Sequence, residues 1–373
     1  MTIAGFGLFT YVSLEQRSAR ETGHLVLSNP LQFVKPENRL MEHGLEDLDA
    51  VKKELFKNSD VLHALPVIKF QGLIANDNKS VTFLGRGIDP KEITVRGPFI
   101  NLIKGSSINY KYNSQDDPEV MLGKGLAKNL SVKVGDYLTL LSNTVDDSLN
   151  GFDVKVVGIS ETGIPEIDNR TLFTHYQTAQ DLLSTDKVNQ VAIYLKELSF
   201  LQRAGKKITS VFQDLKVTYW DELAFFYQGV KNLYNTIFYF VGSITFVIIF
   251  FAVFNLISTS IWERTREFGV LASLGFAPRE IMLSLLLEST LIALISMVFA
   301  TIIYGGVSVA LLFSNIMMAP PPGQTTGYPL QVIFSGEIIL YIALITFFIV
   351  QLSTFLASTK INKLSITQSL MHL

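Results

Sequence analysis

The stretch LYNTIFYFVGSITFVIIFFAVFNLISTSI occupies residues 233–261, and from Asn232 to Trp262 no side chain is charged. A helix needs about 20 mostly apolar residues to cross a hydrocarbon core about 30 Å thick. The stretch therefore predicts a membrane span with length to spare for tilt. A buried helix of a soluble protein is the alternative, and uncharged chain of this length is unusual there. Farther along, residues 281–313 are interrupted only by Glu288, and IILYIALITFFIVQLSTFLA at 338–357 carries no charge. Three spans are expected, at about 233–259, 281–313 and 337–357.

The rest of the chain has a different character. Of its 373 residues 17% are charged and 48% apolar, with a mean hydropathy of +0.33; soluble domains carry about 25% charged residues. The deficit is local: 54 charged side chains lie within residues 15–231 and only ten after 231. One polar part is thus joined to one nearly uncharged part, which excludes a single soluble globule and also disorder. A net charge of −2 offers no broad basic surface, so no nucleic-acid partner is expected. Cysteine is absent, which removes disulfides, thiolate nucleophiles and cysteine metal sites. The five histidines, His24, His43, His63, His175 and His372, are scattered, and no metal is expected.

Orientation follows from the basic residues of short loops. Arg264, Arg266 and Arg279 lie between the first two of these spans, Lys360 and Lys363 follow the last, and Ser314–Gly336 holds none. Residues 262–280 and the tail are then cytoplasmic, and the polar region before Asn232 is outside. A large outside domain needs a span ahead of it. The chain opens MTIAGFGLFTYVSL, uncharged to Glu15, which is roughly 21 Å of helix. The expectation is that residues 1–14 are the C-terminal part of a first transmembrane helix whose cytoplasmic start precedes Met1. A short or re-entrant anchor is the alternative.

Residues 15–231 read as an α+β domain. HLVLSNP and VTFLGRGID close as strands in turn signals. Leu45, Leu48, Val51, Leu55 and Phe56 recur at helical spacing and predict a helix over 44–57. QVAIYL, a helix N-capped by Ser199 with Phe200, Ala204, Ile208, Val211 and Phe212 on one face, and LKVTYW form a strand–helix–strand unit. Glycine-punctuated residues 80–160 predict a small β-rich subdomain inserted into the α/β one. No phosphate-binding loop occurs, and the acidic pairs Asp116-Asp117 and Asp146-Asp147 read as solvated surface.

The cytoplasmic segment IWERTREFGVLASLGFAPREIMLSLLLEST (261–290) carries six of the ten late charges within 263–280. Phe268 and Leu271 can act as apolar anchors, with Glu263, Arg264, Arg266 and Glu267 as polar partners, for insertion into a groove on another protein. A loop whose arginines only set topology is the alternative. Glu288 lies roughly 15 Å along a helix begun at Pro278. An intramembrane carboxylate is a functional candidate; a structural hydrogen-bonding role is the preferred reading and a proton relay the other. The outer loop MMAPPPGQTTGYP (317–329) is stiffened by Pro320, Pro321 and Pro322.

On Glu263, Arg264, Arg266, Glu267, Phe268, Gly269, Leu274, Gly275, Phe276 and Pro278, the segment resembles the FtsX/MacB-like family of ABC transporter permeases, as does the ending INKLSITQSLMHL. GHLVLSNP, LGKGLAKNLSVKVGDYLTLL and GISETGIPEIDNRTLF look closest to the lipoprotein-releasing (LolC/LolE-type) branch, from which the proline-rich loop departs. The resemblance implies an α+β extracytoplasmic domain with a porter-like subdomain, on an α-helical bundle of four spans in the bacterial inner membrane. It implies dimerisation with itself or a paralogue, and a separate cytoplasmic ATPase that holds ATP and Mg, so that this chain binds no cofactor and is no enzyme. Glu263, Arg264, Arg266, Glu267, Phe268, Gly269, Leu271, Gly275 and Phe276 would couple to that ATPase. Phe6, Phe238, Phe246 and Phe250 would line the dimer cavity for lipid-bearing cargo or face lipid, with a periplasmic carrier or adaptor as a further partner. Drug or peptide efflux, and control of a cell-wall enzyme, are the other functions the family offers.

Overall fold

The strands occur, in chain order, as β1 (Leu25–Ser28), β2 (Val61–Ala75), β3 (Ser80–Ile88), β4 (Asn101–Gly105), β5 (Glu119–Gly123), β6 (Tyr137–Asn143), β7 (Leu149–Glu161), β8 (Thr171–His175), β9 (Gln190–Leu195) and β10 (Lys216–Tyr219). Among them run helices α1 (Thr2–Thr22), α2 (Leu48–Leu55), α3 (Lys91–Arg96), α4 (Lys124–Leu130), α5 (Pro165–Asp168), α6 (Tyr176–Leu183), α7 (Leu201–Val211) and α8 (Trp220–Leu223). Four more follow: α9 (Phe225–Glu263), α10 (Thr265–Ser273), α11 (Pro278–Ser314) and α12 (Gly336–Ser358). The computed structural model describes residues 1–31, 41–76, 79–97, 100–113, 115–314, 316–319 and 327–359. It divides into a unit of Ser13–Gln228 with Ala319–Tyr328, and a second of Met1–Val12, Gly229–Met318 and Pro329–Leu373.

In the first unit, the strands run β10-β1-β9-β2-β3-β8-β5-β7-β4, and β6 pairs with both β2 and β7. The pairings β2–β3, β3–β8, β8–β5, β5–β7, β7–β6 and β6–β2 therefore close a ring of six strands. β2 serves both parts: residues 61–67 pair with β9 in an open antiparallel sheet, and residues 67–75 pair with β3 in the ring. Closure gives each of these six strands two neighbours, while β4, paired with β7, ends the order as an edge strand. The β-rich stretch expected at 80–160 supplies β3 to β7, but the ring also needs β2 and β8 from outside those limits. It is continuous with the sheet instead of standing apart.

The seam where β6 meets β2 requires a bare backbone: a Cβ on Gly72 would lie 2.1 Å from the Leu141 carbonyl oxygen. Gly72→Ala is expected to cost about 1–3 kcal/mol by overpacking against backbone that cannot yield. Thermal unfolding of the full chain checks this, with Gly229→Ala, where nothing lies within 4 Å, as the variant expected to lose nothing.

β1 and β9 are buried at every position, and over Leu25–Leu27 and Val191–Leu195 they read in sequence as continuous apolar runs. α2 is shorter than the predicted 44–57. Asp47, in the left-handed region at φ 46°, accepts the Ala50 N–H and starts the helix late, while Leu45 exchanges backbone hydrogen bonds with Val188. Leu55 then faces the core and Phe56 points outward, 51% exposed. Ser199 is not the N-cap of α7: it lies in a 3₁₀ turn, its hydroxyl donates to Glu197, and Phe200 precedes the helix.

Charge ties the end of α1 to its domain. Arg17 Nη2 donates to the Thr162 carbonyl at 2.7 Å, and Tyr194 Oη to the Arg20 carbonyl at 3.2 Å. Glu92, fully buried on α3, lies 2.6 Å from Arg86 of β3 and 3.6 Å from Arg96, which is 3.8 Å from Glu21. Beside them His24 accepts the Leu195 N–H through Nδ1 at 3.0 Å. Burial, then the nearby Arg20, lowers its pKa to about 4. The folded state thus resists a proton that the unfolded chain takes up at about 6.5. The stability is present above pH 6.5 and is lost as the pH falls towards 4, by up to about 3 kcal/mol. Denaturant midpoints across that range, compared with His24→Gln, measure this loss.

In the second unit, α9 from Tyr227, α11 and α12 are long and apolar enough to cross a membrane. α1 carries Glu15, Arg17, Arg20 and Glu21 in its second half and is not among them. Close approach is bought with small residues, the usual basis of helix packing in lipid. Gly5 lies against the Tyr304 hydroxyl, the Ile333 carbonyl and the Val332 side chain, and Gly7 against the Phe238 ring. Ser353 Oγ donates to the Phe250 carbonyl at 3.3 Å, and Gln351 Nε2 to Thr290 Oγ1 at 2.8 Å.

Candidate coupling segment

α9 ends at Glu263, and Arg264, at φ −100° and ψ 14°, offsets the chain before α10 begins. α10 ends in a tight reversal. The Phe276 N–H reaches the Leu271 carbonyl and the Gly275 N–H the Ala272 carbonyl, both at 3.1 Å. This double bond pattern needs a left-handed residue after the helix, and Gly275 supplies it at φ +97°. Pro278 opens α11, where its missing N–H costs nothing, and Glu280 accepts the Ala277 N–H at 2.8 Å.

The segment has an inner and an outer face. Phe268 is only 6% exposed and packs with Ile261, Ile281, Leu285 and Ala357, with Leu271 partly buried against the same cluster. Both were expected as anchors for another protein; the structure uses them to fasten α10 to α9, α11 and α12. The outer face carries Glu263, Arg266 and Glu267, with Val270, Leu274 and Phe276 as its apolar residues. Leu274 is 72% exposed. Arg266, Val270 and Leu274 recur every four residues, a sequence signal for a second apolar face that the more prominent Phe268 obscures. Gly269 is buried beneath this face.

Arg264 lies between the two faces. Its Nε donates to Glu267 and its Nη1 to Glu288, each at 2.9 Å, and its guanidinium lies 5.4 Å from the centre of the Phe268 ring. The hydrogen bonds to Glu267 and Glu288 raise the Arg264 pKa above the ordinary arginine value, so it is a fixed cation. Glu288 has a partner of opposite charge one helix away.

The four phenylalanines expected at a dimer cavity or facing lipid lie on α1 and α9. Phe238 lies against Gly7 and Tyr11, Phe250 against Phe251 and Phe254, Phe246 is 45% exposed, and Phe6 is half-buried on α1. An apolar cleft of about 400 Å³ lies among α9, α11 and α12 of the single chain, lined by Val253, Ala293, Met297 and Ala343 among others. Pro320, Pro321 and Pro322 lie outside the described residues. No group of acidic and histidine side chains suited to a metal occurs among the described residues.

Comparison with known proteins gives two family matches. The MacB-like periplasmic core domain matches residues 1–211, and the FtsX-like permease C-terminal domain matches residues 239–366. The chain is 26% identical over 244 residues to the lipoprotein-releasing system transmembrane protein LolC of Neisseria meningitidis serogroup B, covering 60% of this chain and 55% of that one. It is 26% identical over 168 residues to the ABC transporter permease YknZ of Bacillus subtilis, covering 42% of each. The matched part of the chain thus spans about half the length of these curated relatives. Among solved structures, the periplasmic region of MacB from Actinobacillus actinomycetemcomitans aligns with a TM-score of 0.41 and 16% identity, over 57% of this chain and 96% of that one.

Proposed function

The chain belongs to the ABC transporter permeases that join a MacB-like periplasmic core domain to an FtsX-like permease domain, and from that premise we propose that it is half of a dimeric transporter that releases a lipoprotein or lipid-like substrate from the bacterial inner membrane. Permeases of this family are non-enzymatic transporter components. ATP and Mg belong to a separate cytoplasmic ATPase, whose closure pushes on residues 263–276 and, through the spans, moves the periplasmic domain. α1 serves as the first of four spans, and dimerisation is with a second copy or a paralogue.

The observation that carries this reading is the outer face of α10 and its reversal. Val270, Leu274 and Phe276 stand exposed beside the exposed charges of Glu263 and Arg266, between two helices long enough to cross a membrane. Apolar anchors ringed by charge suit a groove on a soluble partner. Lipoprotein release as the task is favoured by the similarity to LolC.

The test is purification of the full chain from membranes in mild detergent, with co-eluting proteins identified by mass spectrometry. An ABC ATPase is expected to co-elute, and Leu274→Asp with Phe276→Asp should reduce its recovery at least about tenfold, the loss typical of central anchors. A wild-type chain that brings no ATPase sinks the proposal.

A further inference from the structure

A cleft of about 430 Å³ lies among α1, β2, α3 and the end of β9, wholly within the Ser13–Gln228 unit. Its floor is closed chemistry. Tyr194, 1% exposed, spends its hydroxyl on the Arg20 carbonyl, and His24, edge-on to it at 5.8 Å, spends Nδ1 on the Leu195 N–H. Leu62, 48% exposed, and Val95 and Leu198 give the cleft an apolar side. Arg20, His63 and Lys196 give it a basic side, and none of the three forms an ion pair among the described residues. The acid on this rim, Glu197, accepts from Ser199 instead.

Unpaired cations beside exposed apolar side chains suit an anion that carries a hydrocarbon, since each half of such a ligand finds its own surface. A guanidinium and an ammonium together favour phosphate oxygens. The wall formed by Gln16 and Arg20 also begins two residues after the uncharged stretch 1–14. We propose that this cleft holds the phosphate headgroup of an anionic membrane lipid, with the first carbons of the lipid against Leu62, Val95 and Leu198. The proposal rests on the reading of α1 as a first span that leaves the membrane just before Gln16. A peptide carboxylate in the same cleft is the competing occupant.

The test uses the full chain in lipid nanodiscs of phosphatidylglycerol and phosphatidylcholine, with a photoreactive benzophenone amino acid in place of Leu62. A second chain carries the same group in place of Leu149, 71% exposed on β7. Illumination is expected to yield phosphatidylglycerol adducts from position 62 at least about tenfold above position 149, the scale of one charge-assisted hydrogen bond. Arg20→Gln with Lys196→Gln should remove that excess, and Lys196→Gln alone, at an exposed position, should reduce it without disturbing the fold. Inorganic phosphate at millimolar concentration should not compete. Adducts to peptide instead of lipid, equal yields at both positions, yields unchanged by the substitutions, or displacement by inorganic phosphate each overturn the proposal. The chain has no cysteine, so Glu222→Cys reports topology cleanly. If an impermeant maleimide fails to label it in cells with a permeabilised outer membrane, the span reading falls with the proposal. If it labels and position 62 yields no lipid, only the proposal falls.

Discussion

Glu92→Ala is expected to destabilise the full chain by about 3–5 kcal/mol, the usual cost of removing one member of a buried ion pair. Glu92 is fully buried and holds two guanidiniums, Arg86 at 2.6 Å and Arg96 at 3.6 Å, whose side chains are 17% and 5% exposed. Burial opposes the charge on Arg86, but Glu92, Tyr194 and Glu21 outweigh it and the net shift is upward. Burial and the neighbouring Arg86 lower Arg96. One carboxylate thus stabilises two cations that otherwise repel each other out of water, and the more exposed Glu21 carboxylate pairs with Arg96 at 3.8 Å while its carbonyl accepts from Arg86. Alanine leaves both cations without it. Thermal unfolding in detergent should show a fall of about 10 °C. Glu92→Gln, which keeps the shape and drops the charge, should lose nearly as much. Replacing the triad together, Arg86→Met, Glu92→Leu and Arg96→Met, should recover most of the loss, because apolar packing avoids the desolvation penalty. A Glu92→Ala chain that melts within a degree or two of the wild type would show that the triad carries no such energy.

The second large effect is expected at Arg264. Arg264→Ala should lower substrate-dependent ATP turnover of the assembled transporter at least about tenfold, because a carboxylate left alone in a span costs about 2.5–3.5 kcal/mol at the centre, and less near an end. Arg264 joins the start of α10, through Glu267, to the interior of α11, through Glu288, so its loss also uncouples the two helices on which the ATPase would push. Arg264→Glu should be worse, since it sets a third carboxylate beside Glu267 and Glu288. The exchange Arg264→Glu with Glu288→Arg should restore turnover to within a few fold. That rescue separates the pairing role from a proton relay, for which the exchanged chain would stay inactive.

The long helices were legible because a span is written in the absence of charge, and the run from 233 to 261 has none. β1 and β9 were legible because burial on both faces demands unbroken apolar sequence. The candidate coupling segment was legible in its residues but not in its facing. Phe268 and Leu271 recur at helical spacing, and so do Val270 and Leu274; only the neighbouring Ile281, Leu285 and Ala357 decide which pair is covered. The triad of Arg86, Glu92 and Arg96 gave no signal, since each residue looks like ordinary solvated charge until the fold encloses it. The six-stranded ring was hidden for a related reason. Its pairings join β3 to β8 and β2 to β6, and alternation along one strand does not name a partner far along the chain.

The placement of β1 also sets an order of events. Its four residues, Leu25–Ser28, bond to β9 on one side and β10 on the other, so both of its edges wait for residues 190–219. Contacts of such separation close slowly, and until they do a mostly apolar strand stands open on both sides, the kind of surface that draws chaperones or aggregates. The last of those residues, Tyr219, comes six positions before α9 begins at Phe225. The N-terminal domain can therefore be completed only as the next helix is about to be delivered to the membrane. Substitutions in β10 should then act on how much protein matures before they act on what the mature protein does.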